Sequence, residues 1–288
     1  MAKINDNPEK KRLSKGKLRF RRFCAFLIIL IFIWWFNNFT IKIDNSKIYS
    51  YKIDNTIKIA VISDLHASSF GISNRKILRK IEKEDPDIVV ELGDMYTYGS
   101  SKKLMKKPVE LTEKIIDAGY PVYFVSGEHD TDQWYIDEMS SVGAHVMNYN
   151  SEAVEINGNK VRLLGIDNAY YSPTFDLTNE FTLDKSCYNI LLAHIPNYEK
   201  FAKFGADLTL CADTHGGMIQ LPFDMGPVYD QGTWLPQLTQ DQNVYDKGLF
   251  EYKGGAMFIT SGIGNYPVPA RFNNRPEVAI IEIKKGTE

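Results

Sequence analysis

Short apolar runs separated by polar turns recur along most of the chain. Residues 57–62, 88–92, 122–125, 190–193, 207–211, 257–260 and 278–283 are short and rich in Val, Ile and Leu. Runs of that length and composition read as strands covered on both faces. Between the earliest of them the apolar period lengthens toward that of a helix. Ser73 caps a helix running to about residue 83, which Asp85-Pro86-Asp87 stops. A second helix is expected from Pro108 to about Ala118 and a third over 132–141, followed by a strand near 145–147. Strand, helix, strand, helix, strand predicts parallel pairing with right-handed crossovers. Residues 153–156 and 160–164 flank Asn157-Gly158-Asn159 and form a predicted hairpin. Residues 39–56 alternate apolar and polar and predict one or two short strands. Residues 218–255, with Pro, Gly and aromatics, read as irregular. No repeat or low-complexity segment interrupts this pattern.

The N-terminus departs from it. Nine Lys or Arg fall within the first 22 residues, and residues 23–36 (FCAFLIILIFIWWF) carry no charge. That run is shorter than the roughly 20 residues a spanning helix needs. Leu18, Phe20, Phe39 and Ile41 extend it, with the basic side chains snorkelling. A cleaved signal peptide needs a small-x-small site, and Trp34-Trp35-Phe36-Asn37-Asn38 offers none. Paired tryptophans fit an interfacial belt. The expectation is a basic cytoplasmic tail (1–22), an uncleaved transmembrane signal anchor (23–41) and a domain (42–288) on the outer face of the cell membrane.

Composition adds limits. The chain of 288 residues is 44% hydrophobic and 24% charged, enough for a sizeable core. A net charge of −2 gives no field for nucleic acid. Cys24, Cys187 and Cys211 make no disulfide framework. A Cys187–Cys211 bridge is one option and buried free thiols the favoured one.

The chemistry lies where predicted strands end. Asp64 and His66, Asp94, Glu128-His129-Asp130, His194, and Asp213 with His215 follow five apolar runs in turn. Carboxyl ends of core strands are where α/β proteins place their sites. Four of the chain's five histidines are in this set; His145 reads as structural. Any one of these turns taken alone is an ordinary polar loop. Five in succession point to imidazoles and carboxylates converging on Mn, Fe, Zn or Co, with Asp94 the carboxylate available to two ions.

In this order the motifs resemble those of the calcineurin-like metallophosphoesterase superfamily, and its membrane-anchored or exported branch most. The family's D-x-H, G-D, G-N-H-D/E, H and G-H-T-H are matched by Asp64-x-His66, Gly93-Asp94, Gly127-Glu128-His129-Asp130, His194 and Ala212-Asp213-Thr214-His215. The resemblance covers about residues 45–288. It implies an α/β fold, a four-layer double β-sandwich flanked by helices and preceded here by the one transmembrane helix. It implies two divalent metal ions: Asp64, His66 and His215 on the first, Asp94 bridging, and positions 128, 194 and 213 on the second. It implies that His129 protonates the leaving oxygen or stabilises the transition state while Asp130 orients its ring, and that a metal-bridging hydroxide attacks phosphorus in line.

Two positions depart from the pattern. Glu128 stands where the family has Asn, and Asp213 where it has the first His of the last motif. Both carboxylates fall on the second ion. They cancel formal positive charge there and make its ligands harder, which favours Mn or Mg over Zn. The resemblance points to phosphodiester or pyrophosphate bonds in lipid- or envelope-linked substrates, UDP-diacylglucosamine-type molecules among them. Residues 222–236, with Phe223, Tyr229 and Trp234, and the loop 266–275 are candidate substrate walls. Arg271 and Arg275 are candidate phosphate clamps. A non-catalytic surface-binding module with a degenerate metal site is the alternative reading.

Overall fold

A computed structural model describes residues 14–67, 72–167, 175–222, 226–230, 233–234, 245–266 and 269–286. Two six-stranded sheets pack face to face. The first contains β1 (Lys42–Ser50), β2 (Ile57–Ile62), β3 (Ile88–Glu91), β4 (Val122–Phe124), β5 (His145–Val146) and β14 (Glu277–Lys285), in the order β1-β14-β2-β3-β4-β5. The second contains β6 (Asn150–Ile156), β7 (Asn159–Gly165), β8 (Tyr188–Leu192), β9 (Leu208–Cys211), β12 (Gly248–Tyr252) and β13 (Gly255–Ile259), in the order β12-β13-β9-β8-β7-β6. A short antiparallel pair, β10 (Tyr229–Asp230) and β11 (Thr233–Trp234), stands apart.

The continuous apolar runs serve two cores at once. In β2, Ile57, Ile59 and Val61 meet Ile190, Leu192, Leu208 and Phe258 between the sheets. Ala60 and Ile62, one step out of phase, pack under α2 (Asn74–Glu84), α3 (Lys102–Asp117) and α4 (Gln133–Ser141). Leu191 and Met257 turn outward onto α5 (Leu177–Glu180) and α6 (Tyr198–Phe204). Helices, sheet, sheet and helices make four layers, as the resemblance implied. The steps β2-β3-β4-β5 pair in parallel as predicted, and β7-β8-β9 do so in the second sheet. In the hairpin the turn is Asn157-Gly158, with φ of 51° and 76° at its two residues. That is the geometry an Asn-Gly pair favours.

Several boundaries differ from the sequence reading. The second helix begins at Lys102, not at Pro108, and carries Pro108 inside it. Burial of Met105 and Val109 one turn apart holds the helix through the proline. β12 lies in the stretch read as irregular, because its GLFEY has no clean apolar period. Residues 39–56 give one strand, β1, paired in parallel along its length with β14. Cys24, Cys187 and Cys211 are free thiols, the last two buried. His145 pairs with Glu152 (3.0 Å) and lies over the Tyr123 ring, away from the other histidines.

The N-terminal helix α1 (Lys15–Phe39) is long and apolar enough to cross a bilayer. It starts eight residues before the uncharged run, since Arg and Lys propagate a helix well. Its last turn is fixed to the domain. Asn38 donates to the Arg271 carbonyl and accepts from the Arg271 N–H, Asn37 accepts from the Asn273 N–H, and the Trp34 indole donates to the Pro269 carbonyl.

Candidate metal centre

Five strand ends deliver the polar side chains to one point. Backbone bonds between neighbouring turns hold them in register: Asp64 N–H donates to the Gly93 carbonyl, His66 N–H to that of Asp94, and Ala212 N–H to that of His194. Asp64, His66, Asp94, Asp213 and His215 all have φ between 50° and 69°. Left-handed backbone at five non-glycine residues stores strain, which the surrounding packing must hold in place. Gly127 shows how close that packing is: a Cβ there would run into Asp94 Oδ1. At Gly262 it would meet Asp64 Oδ2 at 2.5 Å.

Asp94 lies at the centre. Its Oδ1 accepts from the His129 N–H, while Oδ2 lies 3.3 Å from His194 Nε2, 3.8 Å from His129 Nε2 and 4.0 Å from His66 Nε2. On one side, His66 Nε2 and His215 Nε2 approach to 3.2 Å, with Asp64 Oδ1 3.8 Å from His215 Nε2. On the other, Asp213 Oδ1 is 3.7 Å from His194 Nε2. Three overlapping sets of donors are close enough to share an ion: Asp64, His66 and His215; Asp64, Asp94 and His194; and His66, Asp94 and His129. Glu128 is exposed and reaches the cluster only through His129, at 3.9 Å.

The histidines are held in different tautomers, as assigned from their partners. His194 Nδ1 lies 2.5 Å from the Leu92 carbonyl, so Nδ1 carries the hydrogen and Nε2 keeps its lone pair available to an ion. His66 Nδ1 meets the Thr97 hydroxyl at 3.2 Å, and that hydroxyl also donates to the His66 carbonyl. Its free lone pair therefore receives Nδ1–H and leaves Nε2 bare. His129 is the reverse. Its Nδ1 accepts from the Tyr98 N–H at 2.9 Å, which puts the ring hydrogen on Nε2.

Two buried atoms in this cluster have no hydrogen-bond partner among the described residues: Asp64 Oδ1 and His194 Nε2. Orphaned polar atoms aimed at a common point need an explanation, and a divalent cation fits the oxygen and nitrogen donors around them. The electrostatics agree. Burial, with Asp94 nearby, pushes Asp64 up to about 7. Burial also acts on Asp94, but His194 and the His129 N–H hold its carboxyl down to about 2. Burial lowers His66 to about 4 and, together with the Arg271 guanidinium, takes His215 well below the usual range. Burial opposes charge on His194, yet Asp94, Asp64 and Asp213 together raise it. A cation beside Nε2 would satisfy the same carboxylates without a proton.

The sequence profile of the calcineurin-like phosphoesterase family matches residues 57–217, more than half of the chain. The chain belongs to that family. It is accordingly a metal-dependent phosphoric ester hydrolase, and the family uses divalent ions. An uncharacterized metallophosphoesterase of Bacillus subtilis, YkuE, is 26% identical over 236 residues, 79% of each chain. One of Helicobacter pylori J99 is 25% identical over 298 residues, covering 98% of this chain and 75% of the other. A zebrafish (Danio rerio) transmembrane protein with a metallophosphoesterase domain is 26% identical over 81% of this chain and 54% of its own. Among solved structures, TT1561 of Thermus thermophilus aligns with a TM-score of 0.49 at 11% identity, over 72% of this chain and 90% of the other.

Within this phosphoesterase domain three expected roles change. Arg271 is buried and gives its guanidinium to the protein: Nε to the Gly264 carbonyl (3.1 Å), and one terminal nitrogen to the carbonyls of Ser261 and Gly264 (2.8 Å each). The same nitrogen lies 3.4 Å from His215 Nδ1. It braces the turn that carries His215, with its second terminal nitrogen turned toward the His215 carbonyl (3.5 Å). Arg275 bonds Thr40 Oγ1 and the Ile41 carbonyl and covers the Phe36 ring, so it ties α1 to the domain. Asp130 accepts from the N–H groups of Met95 and Gly127, and the His129 ring is oriented by the Tyr98 backbone instead.

Thr97 and Tyr98 carried no sequence signal; Met95-Tyr-Thr-Tyr98 has neither a charge nor a histidine. Tyr266, in the loop expected to form a wall, stacks on the His66 ring at 4.4 Å between centroids and meets His129 at 5.6 Å. Of the other expected wall, Trp234 is exposed. Phe223 and the side chain of Tyr229 lie outside the described residues.

Proposed function

We propose that this chain is a membrane-anchored phosphoesterase that hydrolyses phosphodiester or pyrophosphate bonds of lipid- or envelope-linked substrates with two divalent ions. What carries the reading is the opposed tautomers of His194 and His129 on either side of Asp94. One ring offers a lone pair inward and the other offers a proton. Two bound ions would neutralise phosphoryl oxygens and acidify a water. Asp64, His66 and His215 would hold one, His194, Asp213 and Glu128 the other, and Asp94 would reach both. His129 is partly exposed, so its Nε2–H can donate a hydrogen bond to a leaving oxygen and stabilise the negative charge that develops there. The Tyr98 N–H keeps the ring turned for that hydrogen bond, and Asp130 fixes the backbone of the same turn. The face of Tyr266 lines the approach for an apolar or sugar-bearing substrate.

The anchor is the apolar part of α1 within residues 23–41, with the basic residues up to Arg22 in the cytoplasm and residues 42–288 on the outer face. A relative named as a transmembrane protein supports it. A binding module with a degenerate site would have no use for a proton held on His129 Nε2, so the enzyme is the better reading. The test is hydrolysis of bis(p-nitrophenyl) phosphate by the full chain in detergent. Turnover is expected with Mn, lower turnover with Zn, and none after chelation. No turnover with any divalent ion would sink the proposal.

A further inference from the structure

Beyond the metal centre, the molecule has a second built surface where α1 leaves the apolar zone. A groove of about 450 Å³ lies between the last turns of α1 and one face of α2. Lys76, Arg79, Lys80 and Lys83 line it from α2. Their spacing of three, one and three residues sets all four on one side of that helix. The opposite side, Ile77 and Ile81, is buried in the helix-covered core. Repulsion among four clustered cations is a cost that the fold alone does not require. No carboxylate lines the groove, and among the described residues none of the four is ion-paired.

The facing wall is apolar. Trp35 and Phe39, one turn apart on α1, form it together with Ile41. Trp35 packs on Phe32 (ring centroids 6.0 Å), so the wall continues into the exposed aromatic stripe of α1. Arg275 closes the end, already bonded to the chain at Thr40 and Ile41. A cationic ledge over an apolar wall matches one kind of molecule: a phosphate on a glycerol carrying acyl chains. A soluble anion would leave the wall unused, and an acyl chain alone would leave the cations unpaired.

We propose that this groove seats the headgroup of an anionic phospholipid from the leaflet at the C-terminal end of α1. The phosphate lies against Lys76, Arg79, Lys80 and Lys83, and its acyl chains run down past Trp35. The seat sets the tilt and rotation of the domain on the membrane, since α1 is fixed to the loop that carries Arg271. It rests on the reading of α1 as a membrane span and is independent of the metal site.

The test uses the full chain in nanodiscs of equal parts phosphatidylcholine and phosphatidylglycerol. The protein is then extracted in mild detergent and its retained lipid measured by mass spectrometry. Phosphatidylglycerol is expected to be enriched over phosphatidylcholine. The variant with Lys76→Gln, Arg79→Gln, Lys80→Gln and Lys83→Gln should lose that enrichment about tenfold, given the pull of each basic side chain on an anionic surface. The milder Lys76→Gln, Lys80→Gln pair should fall between, and soluble glycerol phosphate should not displace the lipid. Equal retention of the two lipids, enrichment unchanged in both variants, or displacement by glycerol phosphate would overturn the seat. Carbonate washing of membranes separates the two readings. A chain released by it refutes the span and the seat together, whereas a chain retained without lipid preference refutes the seat alone.

Discussion

Asp64 and Asp94 are both buried aspartates at the ends of neighbouring strands, yet the halves of the cluster around them are built differently. Around Asp64 the walls are closed: Gly262 and Gly264 press on it, and Arg271 braces His215 from behind. Around His129 and Asp213 the site opens. Side-chain exposure is 0% for Asp64 but 25% for Asp213 and 58% for Glu128. Both departures from the family pattern, Glu128 and Asp213, fall on the open side. A ligand in a closed, strained pocket cannot change without moving its walls, while one that faces water can take or lose a charge at small cost. Variation there leaves the packed walls of the fold in place.

Removing chemistry from the open half should have the largest effect. His129→Ala is expected to lower kcat about 10²- to 10⁴-fold while bound metal, measured by elemental analysis, stays constant. The loss should be smaller for a p-nitrophenyl ester, whose leaving group needs no proton, than for an alkyl ester. Equal losses on both would remove the role of His129 at the leaving oxygen. Next comes the brace of the closed half. Arg271→Ala strands the carbonyls of Ser261 and Gly264 and should cost about 3 kcal/mol in thermal unfolding, with KM unchanged. A raised KM at unchanged stability would restore Arg271 as a substrate clamp.

The smallest effect lies beneath both halves. Glu91 is fully buried, and both its oxygens bond the Thr112 hydroxyl. Burial holds it up to about 8, so the folded chain keeps a proton that the unfolded chain releases in the ordinary carboxylate range. That contribution to stability is fully present in acid below the unfolded value and disappears as pH rises toward 8. Glu91→Gln keeps the neutral form at every pH, so its advantage over the native chain should grow from pH 5 to pH 7 by about 2.5 kcal/mol. A pH-independent difference in Tm would contradict this.

The parts of this architecture that local pattern dictates were legible in the sequence. Apolar runs such as 57–62 and 190–193 have no polar face, which requires cover on both sides; that the cover is a second sheet on one side was implied by the resemblance alone. The order of Asp64, Asp94, His129, His194 and His215 after those runs placed them on one rim. What was not legible depends on partners distant in the chain. Arg271 reads as a free loop arginine until the carbonyls of Ser261 and Gly264 are seen around it. Asp130 beside His129 looks like its orienting group, and only the fold brings the Tyr98 N–H onto that ring. Lys76, Arg79, Lys80 and Lys83 read as an ordinary solvated helix face until α1 is laid across from them.

The central claim is that these strand ends hold two cations around Asp94. It is tested most directly by counting ions per chain in the purified full-length protein saturated with Mn, beside His215→Ala and His194→Ala. Two ions are predicted for the native chain and one for each variant. A native chain that binds one ion or none would contradict it.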